Sequence, residues 1–305
     1  MEYKRLGKTD INVSAITFGC WAIGAGKEWG SNLDDSDYIR TVLKAYENGV
    51  NFFDTASGYG NGHSEEVLGK AIHDIRDKVI ISSKCASSSL IKGKTEDSID
   101  SSLKRLNTDY IDVFLIHWPN PDIDISENME QLMLMKEKGK IRSIGVSNYT
   151  VNHLRKAVKY GQVDVFQPCY NLYWRQIEKQ SLPFCIDHDI AVMTYSSIAS
   201  GLLTGKFTSD WKFEKEDMRN EYIALFKKEV YEKAIEINEK LKVYAKRYQK
   251  SLTQIAINWV INQPGITTAI VGAKTPEQVI ENVKAIGWTL SEEDYDSIDK
   301  MTMKV

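Results

Sequence analysis

Residues 49–84 read GVNFFDTASGYGNGHSEEVLGKAIHDIRDKVIISSK, and this stretch holds one complete strand–loop–helix–strand unit. Val50–Phe53 is a short apolar run behind a glycine, too brief for helical periodicity and suited to a buried strand. It ends on Asp54 and a loop of small residues, Thr55-Ala56-Ser57-Gly58-Tyr59-Gly60. Ser64 followed by Glu65 signals a helix start, with Val67, Leu68, Ala71, Ile72 and Ile75 spaced to face a core. Val79–Ser82 is a second run, and Lys84 follows it. Strand, crossover helix and strand imply parallel pairing.

The same unit recurs along the chain. Further short runs rich in β-branched residues lie at Ala15–Phe18, Ile111–Ile116, Ile141–Val146, Val163–Phe166, Ile190–Thr194 and Thr268–Val271. Amphipathic stretches separate them. Asp34 caps one with Ile39, Val42, Leu43 and Tyr46 inward, and Gly49 stops it. Thr95 opens another with Ile99, Leu103 and Leu106 inward. From Lys227 to Gln263 the pattern is helical but too long for one element, and Ser251 reads as a new cap. Before the first run, Tyr3–Leu6 and Ile11–Val13 flank Gly7-Lys8-Thr9-Asp10 as a hairpin placed to plug one end of a barrel.

Eight alternating units predict an α/β fold, a single (β/α)8 TIM barrel over residues 1–305 with an N-terminal β-hairpin and extra helices. A doubly wound open sheet has the same alternation. Its usual GxGxxG turn follows none of the predicted strands, which favours the barrel. Composition agrees with one large core: 305 residues, 42% hydrophobic and 27% charged, with no linker or low-complexity break. A net charge of −3 with interspersed signs gives no footprint for nucleic acid. No run reaches the ~18 apolar residues of a membrane span, and the polar N-terminus lacks a signal core. Cys20, Cys85, Cys169 and Cys185 show neither disulfide nor zinc spacing, so reduced thiols, no metal and a cytoplasmic setting are expected.

Working residues of such a barrel sit at the C-terminal strand ends. In order these are Gly19-Cys20-Trp21, Asp54, Lys84, His117, Ser147-Asn148, Gln167, Tyr195 and Gly272-Ala273-Lys274. One polar strand end is ordinary; eight around one mouth are not. Lys84 would be partly buried and needs an anion, and Asp54 on the adjacent strand is available. That pair alone reads equally well as a structural salt bridge. Tyr59, five residues after Asp54, changes the balance. A free phenol titrates near about 10, and an adjacent ammonium is expected to lower that value and make a usable general acid. His117 is placed to orient a carbonyl or assist the proton.

The segments 49–60, 64–71, 110–119, 140–148, 201–206 and 272–282 together resemble the aldo-keto reductases. The likeness runs from about Leu6 to about Gly287, and is nearest to the bacterial stress-type and potassium-channel β-subunit branch. It implies a catalytic tetrad of Asp54, Tyr59, Lys84 and His117 and reduction of aldehydes or ketones with NADP(H). NAD(H) is the weaker alternative. It further implies that Ser147, Asn148 and Gln167 hold the nicotinamide carboxamide, with Tyr195 on the ring. Ser196, Ser197, Ile198, Ser200, Gly201, Leu202 and Leu203 would form a backbone belt for the pyrophosphate, with Lys206 adding charge. Lys274, Thr275, Gln278, Glu281 and Asn282 would hold the adenosine end. Gly19, Cys20, Trp21, Asp54 and Gly272 complete the cofactor side. Two departures stand out: no proline follows Tyr195-Ser196, and Gln278 stands where the aldose-reductase branch has arginine.

Trp21 and Trp118 flank catalytic positions and are expected to wall the substrate pocket, with Trp29, Tyr149 and Trp174 nearby. The expected partner is a small carbonyl compound, and the sequence leaves a homo-oligomer open. A cofactor-sensing module acting through a protein partner is the alternative on the same fold. A phosphosugar barrel would use Gly272-Ala273-Lys274 but leaves Tyr59 beside Lys84 unexplained. Phe207–Leu225 is long enough for a lid.

Overall fold

In the computed structural model, residues 1–25, 33–220 and 223–303 are described. Two short strands, β1 (Tyr3–Arg5) and β2 (Asn12–Ser14), pair as the expected antiparallel hairpin. Eight parallel strands then close on one another. They are β3 (Ile16–Gly19), β4 (Phe52–Asp54), β5 (Ile80–Cys85), β6 (Ile111–Ile116), β7 (Ile141–Ser147), β8 (Val165–Gln167), β9 (Ala191–Thr194) and β10 (Ile266–Gly272), with β10 beside both β3 and β9. All eight predicted runs are barrel strands, their ends displaced by no more than three residues.

Helices cover the outside: α1 (Trp21–Ala25), α2 (Asp35–Glu47), α3 (His63–Ile72), α4 (Thr95–Leu106), α5 (Ile125–Glu137), α6 (Val151–Tyr160) and α7 (Ser181–Asp187), then α8 (Lys228–Tyr248), α9 (Leu252–Ile261), α10 (Pro276–Val283) and α11 (Glu292–Thr302). Asp34 and Ser251 cap α2 and α9 as expected, each in a reciprocal capping box. Ser64 does not cap α3. Gly62, in a left-handed conformation, precedes that helix, and the Ser64 hydroxyl instead donates to the Cys20 carbonyl at 2.9 Å. Thr95 opens α4 as expected, as its first residue, with its hydroxyl donating to the Ile91 carbonyl at 3.0 Å.

The period of two along each strand sorts side chains between an outer core under the helices and an inner core within the barrel. Phe53, Ile81, Phe114, Ile144, Phe166 and Val192 face out. Phe52, Val113, Leu115, Val165, Ala191 and Met193 face in, packed against Leu6, Ile11 and Val13 of the hairpin. The hairpin therefore plugs the N-terminal end, as its position in the sequence implied. Continuing the inward period toward the other end brings Asp54, Lys84, His117, Ser147, Gln167 and Tyr195 to the opposite mouth.

Gly7 fixes the plug. Its φ is +54°, and a Cβ there would lie 2.7 Å from the Asp189 carbonyl oxygen. Left-handed backbone costs a side-chain-bearing residue about 1–2 kcal/mol, and the overlap with backbone adds to it. Gly7→Ala should therefore lower stability by about 2 kcal/mol or more, read as a fall in the urea midpoint; an unchanged midpoint would show that the hairpin does not hold the barrel end.

Candidate active site

Lys84 and Asp54 are both buried at the mouth end of the barrel interior. The register pairs Asp54 with Ser82, two residues before Lys84 on the same face of β5. The Lys84 ammonium donates to Asp54 Oδ2 at 2.7 Å and to the Thr55 carbonyl at 2.7 Å. Asp54 Oδ1 accepts from Ser82 Oγ at 2.7 Å and from Gln167 Nε2 at 2.9 Å. Both carboxylate oxygens are thereby satisfied, which a buried charge requires.

Tyr59 opens the short turn Tyr59–Gly62 after β4, where Gly60 and Asn61 take left-handed backbone and turn the chain back toward the mouth. Its ring centre lies 4.8 Å from the Lys84 ammonium and 5.8 Å from the His117 ring, met edge-on at 77°. Trp21 stacks on its other side at 5.8 Å. The four residues reached by charge argument are thus gathered in one place. The direction of the tyrosine's shift is the opposite of that expected. Burial raises the Tyr59 phenol well above its ordinary value, and the Asp54 carboxylate raises it further. Lys84 spends its charge on Asp54. His117 moves the other way: burial, then the nearby Lys84 charge, lower it to about 3. At neutral pH the site therefore holds a protonated phenol, a neutral imidazole and a closed ion pair.

The residues expected on the nicotinamide side meet the same group. Asn148, with φ +61°, donates to the His117 carbonyl at 3.0 Å and accepts from the Tyr195 hydroxyl at 2.7 Å. Ser147 donates to the Gln167 carbonyl at 2.9 Å. After β9 the backbone turns left-handed at Ser196, Ala199, Ser200 and Gly201. Three of those are not glycine. In this segment, expected as the pyrophosphate belt, Ala199, Ser200 and Gly201 are consecutive, and within the turn the Ala199 N–H donates to the Ser196 carbonyl at 2.7 Å and the Gly201 N–H to the Ile198 carbonyl at 3.0 Å. Leu202 and Leu203 have buried side chains, so their part in such a belt is limited to backbone.

Beyond this turn a set of charges converges that the sequence reading only half found. Lys206 and Lys274 were expected; Arg219 and Asp217 were not. Burial, then Arg219 and Lys206, lower the Lys274 ammonium to about 8, while Asp217 opposes the fall. Arg219 is basic within an aperiodic, aromatic-rich stretch, which is the one signal the sequence offered. Of the adenosine-side residues, Thr275 caps α10 by accepting from the Gln278 backbone, Gln278 Oε1 accepts from the Lys274 backbone at 2.8 Å, and Asn282 donates to Gly272 at 3.4 Å. Glu281 offers its carbonyl to Gln254 at 3.0 Å.

Gly19 approaches the Ile270 side chain so closely that a Cβ would meet it at 2.8 Å. Cys20 is buried in the outer core, its backbone N–H donating to the Asp54 carbonyl at 2.8 Å, so it braces the site rather than opening to the mouth. Burial pushes its thiol well up. Trp21 and Trp118 are exposed, as a pocket wall needs. Tyr149 is buried and Trp174 packs on the outer core, so neither joins that wall, and Trp29 lies outside the described residues.

A sequence model described as the aldo/keto reductase family matches residues 15–302. The chain belongs to that family. It is 38% identical to aldo-keto reductase YhdN of Bacillus subtilis, covering 98% of this chain and 93% of the other. It is 35% identical to the NADH-specific methylglyoxal reductase of Escherichia coli, covering 97% of each. Among solved structures it resembles the glycerol dehydrogenase of Gluconobacter oxydans, with a TM-score of 0.89 at 31% identity, covering 98% and 94% of the two chains. An aldo/keto reductase of Klebsiella pneumoniae in complex with NADP and acetate superposes with a TM-score of 0.77 at 28% identity, covering 95% and 92%. Among the described residues of this reductase, no cluster of three or more His, Cys, Asp or Glu could hold a metal. No described helix is long and apolar enough to cross a membrane.

The His117 shift has a solution signature. A folded value below the unfolded one favours the fold in full above about pH 6.5, and this favour is lost as pH falls toward about 3. In a histidine NMR titration the His117 ring should hold its neutral chemical shift from about pH 8 down to about pH 5; an inflection near 6.5 would contradict the buried, Lys84-facing environment.

Proposed function

We propose that this aldo/keto reductase reduces the carbonyl group of aldehydes or ketones to the alcohol with NADPH, with Tyr59 as the proton donor. The observation that carries this is the phenol kept protonated beside a neutral imidazole and a closed Lys84–Asp54 pair, all at one barrel mouth. The reduced nicotinamide supplies the hydride when it is bound. Tyr59 then donates to the carbonyl oxygen as negative charge develops on it, since a phenol gives its proton readily to an alkoxide. Lys84, closed onto Asp54 4.8 Å from the Tyr59 ring centre, offsets the carboxylate charge that opposes the phenolate left behind. Asp54, satisfied by Ser82 and Gln167, pairs with Lys84 and holds it in place. His117 is neutral, so it orients the carbonyl by a hydrogen bond and is not the proton source. Trp21 and Trp118 supply apolar surface beside the reacting carbon.

The residues fit a dinucleotide. Asn148, Ser147 and Gln167 present amide and hydroxyl groups at the mouth, the left-handed turn 196–201 presents backbone N–H groups, and Lys206, Arg219 and Lys274 supply positive charge. A ribose phosphate would make charge-assisted contacts there that NADH lacks. NADPH is therefore the preferred cofactor and NADH the weaker one.

Loss of the reduced-nicotinamide absorbance with a panel of aldehydes, ketones and quinones tests the reading. NADPH-selective turnover is expected. Tyr59→Phe should lose about 10²–10⁴-fold in kcat with cofactor affinity nearly intact. Because neither Tyr59 nor His117 titrates between them, wild-type kcat for reduction should stay level from about pH 6 to about pH 9. Tight NADPH binding without turnover on any carbonyl would overturn the enzyme reading in favour of a cofactor-sensing module.

Lys274 provides a separate check on the cofactor. Its ammonium is charged below about pH 8 and loses its proton above, so NADPH affinity should weaken as pH rises through that value while NADH affinity changes little. Lys274→Ala should weaken NADPH by roughly tenfold and largely remove that pH dependence; equal losses for both cofactors would show that Lys274 does not meet the phosphate.

A further inference from the structure

We propose that Glu65 is a positioning residue for the reaction, a buried carboxylate that holds the turn carrying Tyr59 in register with Lys84. The inference rests on reading Tyr59 as the proton donor.

Glu65 lies in the first turn of α3, directly after the Tyr59–Gly62 turn, and is buried. Its Oε1 accepts from the Ser83 hydroxyl. Its Oε2 accepts from Arg105 Nε at 2.7 Å, and Arg105 Nη2 lies 2.6 Å from the same oxygen. Both oxygens are therefore committed, one to β5 and one to α4. Ser83 is buried and directly precedes Lys84 on β5, so its side chain takes the opposite face of the strand. The strand residue gripped by Glu65 is thus the neighbour of the ammonium that lies 4.8 Å from the Tyr59 ring centre.

The second grip reaches the turn itself. Gly60, Asn61 and Gly62 have φ of +56°, +53° and +95°, and the last sits against the Arg105 side chain. A Cβ on Gly62 would lie 2.5 Å from both Cδ and Nε of Arg105, and Nε is the atom that Glu65 holds. The turn rests on a guanidinium fixed by the carboxylate just beyond it. Contact between the two helices does not depend on that carboxylate. At Gly69 α3 meets the backbone of α4, where a Cβ would lie 2.6 Å from the Leu106 carbonyl oxygen. What Glu65 adds is a link from the strand of Lys84, through Arg105, to the turn of Tyr59. A proton donor must stay within hydrogen-bond reach of the carbonyl oxygen, and misplacement by about 1 Å costs on the order of a hundredfold in rate.

Glu65→Gln keeps an oxygen for Ser83 and turns an amide NH2 toward Arg105, where two donors then face each other. In single turnover with NADPH and the carbonyl compound reduced fastest in the panel, the maximal rate should fall about tenfold to a hundredfold. The carbonyl concentration giving half that rate and the NADPH dissociation constant should stay within about twofold. The same substitution in Tyr59→Phe should cost less than about twofold of the residual rate, because the group it positions is gone. Ser83→Ala breaks the strand side of the link and carries the same pair of expectations should the glutamine variant fail to fold. An equal fall in both backgrounds would make Glu65 a general support of the barrel wall and overturn the inference, as would an unchanged rate in the wild-type background. A Tyr59→Phe enzyme that keeps full activity would instead sink the proton-donor reading on which the inference stands.

Discussion

A lysine ammonium enclosed by the barrel must have its charge met inside the fold, and the Lys84–Asp54 pair is the constraint on which the mouth depends. Leaving either charge unpaired in such surroundings costs about 3–5 kcal/mol. The register of β4 on β5 makes the pair possible, because it sets Asp54 opposite Ser82 and leaves Lys84 one inward step above. Slippage of β4 by one residue would send Asp54 into the layer beneath the helices, which is filled by Phe53, Ile81 and Val67, and leave Lys84 without its carboxylate. Strand pairing and site chemistry therefore select the same register.

The pair also decides how protons are distributed around it. An ammonium free to act on Tyr59 would favour the phenolate. Here it is closed onto a carboxylate and the Thr55 carbonyl, and what reaches the phenol is burial and the Asp54 charge, both acting against ionisation. His117 sits in the same field and responds in the opposite sense, because its charged form is the cation and both burial and Lys84 disfavour it. One environment thus keeps the acid loaded and the imidazole neutral.

Much of this was legible in the sequence. Short runs such as Ile111–Ile116 favour strand over helix by their length and β-branched content, so the barrel could be counted. Asp54 and Lys84 lie at the ends of β4 and β5 and His117 directly follows β6, and a strand end points to the mouth whatever lies elsewhere. What escaped depends on distance through space. Ser64 has the composition of a cap, but the left-handed Gly62 before it begins the helix and frees Ser64 to bridge to Cys20 and Thr55. The sign of the Tyr59 shift turns on how deeply the ring is buried, which no local pattern encodes. Arg219 and Asp217 lie in a stretch without periodicity. Only packing among Phe207, Phe213 and Phe226 carries them to a turn nearly twenty residues earlier in the chain.

The two sides of the mouth carry different kinds of cost. On the catalytic side every charge found has a partner, and polar groups close on one another through Ser82, Gln167, Asn148 and Tyr195. On the other side the fold accepts left-handed backbone at Ser196, Ala199 and Ser200, each worth about 1–2 kcal/mol, and gathers three cations, of which Arg219 lowers the proton affinity of Lys206 and Lys274 and Lys206 lowers that of Lys274. A fold under selection for stability alone would relieve both, by glycine in the turn or by neutral side chains beside it. Strain and like charge concentrated at one edge are what the proposed cofactor's phosphate groups would relieve on binding. On the proposed reading, the apparent instability of this edge is binding energy held in reserve, and the Asp217–Arg219 pair meets part of the charge within the fold.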